Sequence, residues 1–332
     1  MKRPRVCGQR WSQRRTIATI VIALLSIPVA RADPSQDSLT TVEVVGAKPG
    51  PGLWRVHSGD NVLWILGTLE PLPRRMIWRS REIEAVLDRA DLVLAGGASA
   101  SVDGGPITWF RLYRQFRRTQ RLPGQQTLAD FLQADDYQRF TSLRERYARR
   151  DRDVERFRPI FAAFRLFAGG VAAAGLTADD DIQERVLKLA RKRRVERKQI
   201  KLKIAEPHVL LAEIATTAPQ TEVRCLQAAM TRLETDLDAL RSRALAWAEG
   251  NIAELQGLAF PDDREACWDA IQNAPRIKAL AEQARDEWLQ AAIAALEVKS
   301  TTLALTDIYS LWGKRGLLDE FRKRGYEVQE PN

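Results

Sequence analysis

The sequence predicts an α/β (α+β) fold: a mixed β-sheet flanked by helices on both sides, with a predominantly helical middle section. Three observations predict it. Two short apolar runs, Leu53–Val56 and Val62–Leu66, flank the turn cluster Ser58-Gly59-Asp60-Asn61, a hairpin pattern. The second run is followed by a helix-period stretch and then by Leu92-Val93-Leu94, a strand, helix, strand order that builds an α/β sheet. Most of the chain beyond it has apolar residues at helical spacing, until Thr302-Leu303-Ala304-Leu305 reads as a strand again.

The chain opens with a leader pattern. Lys2 to Arg15 is basic, Ile17 to Val29 is apolar, and Ala30-Arg31-Ala32 places small residues where a signal peptidase reads. Residues 1–32 are therefore expected to be a signal peptide cleaved after Ala32, which sends the protein to the periplasm. The apolar run is shorter than the roughly 20 residues a bilayer-spanning helix needs, and no later segment is apolar enough to cross a membrane. Residues 33–52, rich in Ser, Thr, Pro and Gly, read as a linker, and 53–330 as one domain.

Within that domain, Val62–Leu66 is apolar on consecutive residues, as in a strand covered on both faces. Ser80 is placed to cap a helix whose Ile83, Val86, Leu87 and Ala90 share a face. Helical patterns follow over Thr108–Arg118, Asp135–Arg150, Val154–Ala168 and Ala178–Arg194. Ile200, Leu202 and Ile204 alternate with lysines, the period of a half-buried strand. Pro207 starts a helix to about Thr216, a long helix is expected from Thr221 to Glu249 with Gly250 as its C-cap, and another from Arg276 to Leu296. The chain should close with a loop, a short helix, a Gly stop at Gly325 and a terminal strand.

The formal charge of +9 is misleading, because the first 32 residues hold seven basic residues and no acid. The remainder has 45 basic against 43 acidic residues, about +2, and nothing in that balance calls for nucleic acid. Two cysteines follow the leader, Cys225 and Cys267. In an oxidising compartment they are expected to pair, with two unlinked buried thiols as the alternative.

Leu63-Trp64-Ile65-Leu66-Gly67-Thr68-Leu69-Glu70 and the closing Leu311-Trp312-Gly313-Lys314-Arg315-Gly316-Leu317-Leu318, with Gly325-Tyr326-Glu327-Val328, resemble the two ends of TraB/GumN (TraB/PrgY) proteins, relatives of the Tiki proteases. The resemblance implies their sheet and a metal-dependent site at one sheet edge, held by two histidines with help from an acidic residue. It also implies a cleft backbone at Gly67, Thr68 and Gly96. At the matching positions this sequence has Glu70 and Ser310 for the histidines, Ala95 or Gly96 for the acid, and Arg285, followed by Asp286, for a late arginine. A catalytic zinc takes three His, Cys or carboxylate ligands, and one carboxylate with one hydroxyl falls short of that.

Candidate catalytic residues are thus Glu70, Arg285 and Ser310, with no metal ligand set and no cofactor expected; one divalent ion is the alternative. The two histidines, His57 and His208, are expected to be structural, His57 solvated beside the hairpin turn. Asp179-Asp180-Asp181 reads as a helix start rather than a calcium loop, and Arg191-Lys192-Arg193-Arg194 with Arg197 and Lys198 as a helix end and exposed turn. On Thr108–Arg118, Trp109, Tyr113 and Phe116 are expected in the core beside Arg111, Arg114, Arg117 and Arg118, with a partner-binding helix as the other reading.

The function expected is that of a non-catalytic, degenerate family member with a binding or accessory role in the cell envelope, where a protein partner is possible. The competing expectation is a hydrolase, either metal-dependent and peptidase-like with a relocated site, or metal-free and using Glu70 with a second carboxylate such as Asp307 or Asp286.

Overall fold

Apolar residues that follow one another along a strand point to opposite faces, so both faces must be covered. Leu303, Ala304 and Leu305 are all fully buried, and so are Leu63, Ile65 and Leu66. They sit in the two central strands of the computed structural model, which describes residues 50–331 apart from 75, 77, 78, 152, 178–180, 259–265, 268, 269, 271–273 and 313–315.

The hairpin forms as expected, from β1 (Leu53–Ser58) and β2 (Asn61–Thr68), and is followed by a two-residue strand β3 (Leu72–Pro73). Helix α1 (Arg81–Leu87) buries Ile83, Val86 and Leu87. Ser80 precedes it but makes no side-chain cap; its hydroxyl donates instead to the Glu84 carboxylate at 2.5 Å. Strand β4 (Leu92–Ser101) is longer than its three apolar residues suggested, because a register shift between Leu94 and Ala98 lets it continue beside its neighbour with small residues.

The middle is helical: α2 (Pro106–Thr119), α3 (Ala134–Tyr147), α4 (Pro159–Ala173), α5 (Asp181–Lys192), α6 (Pro207–Thr216), α7 (Val223–Thr235), α8 (Leu237–Glu249) and α9 (Ile252–Gly257). Strands β5 (Leu176–Thr177) and β6 (Glu196–Lys203) interrupt it. Then come α10 (Pro275–Val298), β7 (Thr301–Asp307), α11 (Leu317–Lys323) and β8 (Glu327–Gln329).

Two helices differ from the periodic pattern, each for a local reason. The pattern from Val154 splits into a single turn at Val154–Arg156 and then α4, because proline suits a first helical position and Pro159 takes it. The long helix after Thr221 breaks at Asp236, where φ is −124° and the carboxylate accepts from Arg243 Nη1 at 3.0 Å. Gly250 closes α8 in the left-handed region at φ 70°, the conformation that favours glycine there.

The main sheet is mixed and six-stranded, in the order β6-β4-β7-β2-β1-β8. β6, β4, β7 and β2 run parallel, while β1 is antiparallel to both its neighbours. β7, though late in the chain, enters between β4 and β2. Helix α10 packs along the central strands, and α1 and α5 pack against β7, β4 and β6. A second core lies among α3, α4 and α7, around Phe140, Leu166, Leu226 and Met230. Cys225 and Cys267 are bonded there, at a Cα separation of 4.4 Å.

Candidate functional site

The parallel strands β2, β4 and β7 end at one edge of the sheet, the edge where open α/β sheets bind ligands. Gly67 and Thr68 end β2, in register with Thr306 and Asp307 at the end of β7. The Thr68 hydroxyl donates to the Thr306 carbonyl at 3.2 Å, tying the two ends together. A side chain at position 67 would stand 2.8 Å from Ile308 Cγ1, so only glycine lets the turn after β7 close over β2.

Two buried tryptophans fix this edge from the helices. Trp247 of α8 donates its indole N–H to the Gly67 carbonyl at 2.7 Å, and Trp288 of α10 donates to the Ala95 carbonyl at 3.1 Å. On β4, the Gly96 N–H donates to Gln183 Oε1 of α5 at 2.6 Å. Neither the Gln183 clamp nor the Trp288 contact was visible in the sequence, since a glutamine on a helix and a tryptophan on an apolar face are ordinary there.

The candidate residues take their places around this frame. Glu70 follows β2 by two residues and is exposed, and the Glu70–Pro71 peptide is cis. It is thus no buried carboxylate. Ser310 lies in the helical turn after β7, exposed, with its hydroxyl 3.4 Å from Asp307 Oδ2. Asp307 is half-buried. Arg285 sits on α10 one turn before Trp288, half-buried, and pairs with Asp286 at 3.3 Å. The fold therefore sets Gly67, Thr68 and Asp307 at the ends of β2 and β7, Glu70 and Ser310 in the segments that follow them, and Gly96 within β4 beside the end of β7, with the helix of Arg285 anchored next to β4.

The histidines lie elsewhere. His57 pairs with Val62, at the start of β2 and so at the far end of the sheet from Glu70. It is half-buried rather than solvated, and its Nε2 is buried with no hydrogen-bond partner among the described residues. His208 is in the first turn of α6, where its carbonyl accepts from Gln115 Nε2 at 2.7 Å.

The TraB/PrgY/gumN family model matches residues 52–330. The chain belongs to the TraB/PrgY/gumN family. Neither the curated proteins nor the solved structures provide a match to it. For a TraB/PrgY/gumN member the divalent metal implied by the resemblance is the natural group to test against this edge. The donors present do not fit it: two carboxylates, Glu70 and Asp307, one hydroxyl directed at Asp307, and backbone at Gly96, with no nitrogen or sulfur ligand among them. Among the described residues no three His, Cys, Asp or Glu side chains form a group able to hold a metal ion.

Other residues singled out in the sequence fall outside this edge. Asp179 and Asp180 lie outside the described residues. Arg193 pairs with Glu84 at 2.9 Å and Asp88 at 2.6 Å, so part of the basic run after α5 ties α5 to α1. Arg194 takes the left-handed conformation at φ 61° that ends the helix, a role more often given to glycine. A cleft of about 420 Å³ bordered by Arg146, Arg149, Arg150 and Arg165 lies between α3 and α4, away from the strand ends.

Proposed function

We propose that this chain is a binding or accessory member of the TraB/PrgY/gumN family that acts in the cell envelope, exported by its leader and working without the family's metal chemistry. The observation that carries the reading is the donor set at the strand ends. Oxygen from one carboxylate at Glu70 and one hydroxyl at Ser310 stands where nitrogen donors are implied by the resemblance. The edge is otherwise rigidly built, by the Trp247, Trp288 and Gln183 bonds, which suits a cleft that holds a ligand.

One observation favours a second reading, a metal-free carboxylate hydrolase. The register of β2 with β7 sets Asp307 opposite Thr68, two residues before Glu70, so two carboxylates share the edge. A hydrolase of this kind needs one carboxyl as acid and one as base or nucleophile. Assays of peptide and glycoside substrates with the wild type, Glu70→Gln and Asp307→Asn separate the readings. The binding reading predicts no turnover in any of the three; turnover abolished by either substitution and indifferent to chelator selects the hydrolase.

A further inference from the structure

Helix α2 shows solvent a face that soluble proteins ordinarily cover. Ile107 is 69% exposed, Trp109 53%, Phe110 60%, Tyr113 61% and Phe116 39%. Within Pro106–Thr119 only Thr119 is buried. The inward side is Thr108, Leu112, Gln115 and Thr119: Gln115 donates to the His208 carbonyl, and Thr119 Oγ1 donates to the Leu211 carbonyl at 3.3 Å, both on α6. These bonds fix which way the helix is turned, so the outward aromatics are a property of the docked helix and not of a loose one. An apolar patch of this kind marks an interaction surface.

The pattern on that surface specifies its occupant. Trp109, Tyr113 and Phe116 follow at i, i+4 and i+7 and form one stripe; Arg111, Arg114 and Arg118 follow at i, i+3 and i+7 and form a second on the opposite flank of the helix. Arg117 adds a fourth guanidinium, and α2 contains no acid. None of the four arginines has an ion pair among the described residues; Arg114 instead stacks over the Phe110 ring at 5.9 Å. The nearby acids are already engaged, Asp103 with Lys203 at 2.5 Å and Glu206 and Glu213 with Arg276. The apolar surface continues onto α4 through the edge-to-face contact of Phe116 with Phe161, one turn from Phe164, which is 48% exposed.

We propose that α2 docks this protein on the surface of an anionic lipid bilayer. An amphipathic helix with aromatics on one side and arginines on the other lies in the plane of such an interface. The rings enter at headgroup depth, and the guanidiniums bind lipid phosphates with two hydrogen bonds each. Aromatic and arginine side chains also serve protein interfaces, but a helix with no acid and four guanidiniums without an ion pair among the described residues matches the continuous negative charge of phosphates at a bilayer surface. This surface is separate from the strand-end edge, so the inference stands whether that edge binds or catalyses.

The test is co-sedimentation of the purified chain with vesicles of phosphatidylglycerol and phosphatidylethanolamine, against vesicles of phosphatidylcholine alone. Every variant keeps the same N-terminus, so residues before 50 contribute equally. The wild type should partition onto the anionic vesicles and be released by salt. The double variant Arg111→Glu/Arg114→Glu should lose about tenfold or more of that partitioning, and Trp109→Ser/Tyr113→Ser should lose most of it. Both substitute exposed residues, and unchanged circular dichroism spectra confirm the fold. Partitioning that both variants retain overturns the proposal. So does failure of the wild type to bind anionic vesicles, including the case in which it self-associates through α2 in sedimentation velocity.

Discussion

The indole N–H of Trp247 and the carbonyl of Gly67 show how single residues set the candidate site. Both groups are buried, so a phenylalanine at 247 would keep most of the ring and strand the carbonyl. Trp247→Phe should cost about 1–3 kcal/mol, read as a lower urea midpoint at unchanged m-value. Gly67→Ala should cost a similar amount, about 1–3 kcal/mol, because its new methyl meets Ile308. In the helical layer, Arg158 and Glu222 are each 2% exposed and bonded at 3.0 Å from Nε to Oε1, with Arg158 also donating to the Ala215 and Thr217 carbonyls. Glu222→Ala leaves a guanidinium buried without its carboxylate and should cost about 3–5 kcal/mol by the same denaturation measurement. How legible such residues were varied. Gly67 stood out through the resemblance to the family's opening strand, whereas the Arg158–Glu222 pair, 64 positions apart, left no local trace.

At the scale of elements, the strands were read well because burial on both faces writes consecutive apolar residues into β2 and β7. The bonded cysteines were legible too, from their number and the expectation of an oxidising compartment, although the helix carrying Cys225 proved to end at Thr235. A sequence separation of 42 implies a contribution of about 4 kcal/mol in the chain-entropy view. Reduction should lower the urea midpoint accordingly, and the unreduced protein should resist alkylation at both thiols. Helix α2 was misread in one respect. Periodicity shows which residues share a face, not whether that face meets a core, so its aromatics were placed inside although they lie outside. Helix α11 carries a pH response. Arg324, at 2.7 Å, and Lys323, at 3.1 Å, hold the Glu320 carboxyl down at about 2 from its ordinary 4.5. A depressed value means the contribution is present above pH 4.5 and is lost as pH falls toward 2. Glu320→Gln should therefore melt slightly lower than wild type at pH 7, and the gap in Tm should close over that acid range.

For the whole molecule, the ends of the chain carried most of the information. The hairpin pairs with the terminal strand, Val56 with Val328, and a methyl at Gly67 would stand 3.1 Å from Leu311 Cδ1, so the two segments that resembled the family are neighbours in the fold. The helical middle between them was legible as helices but not as a second core, because long-range packing among α3, α4 and α7 leaves no periodic mark beyond each helix's own stripe. At the candidate edge, Gly67 and Thr68 of β2 and Glu70 and Ser310 in the segments after β2 and β7 were named from the resemblance alone. Its helical supports, Gln183 and Trp288, were set by tertiary contacts alone.

The proposed function depends on this edge lacking the donors for a resident metal. Elemental analysis of the purified protein, after incubation with manganese, cobalt and zinc and removal of free ions, tests it most directly. Metal should stay well below one equivalent, unchanged in Glu70→Ala. One equivalent that is lost on Glu70→Ala and that supports chelator-sensitive peptide hydrolysis would contradict it.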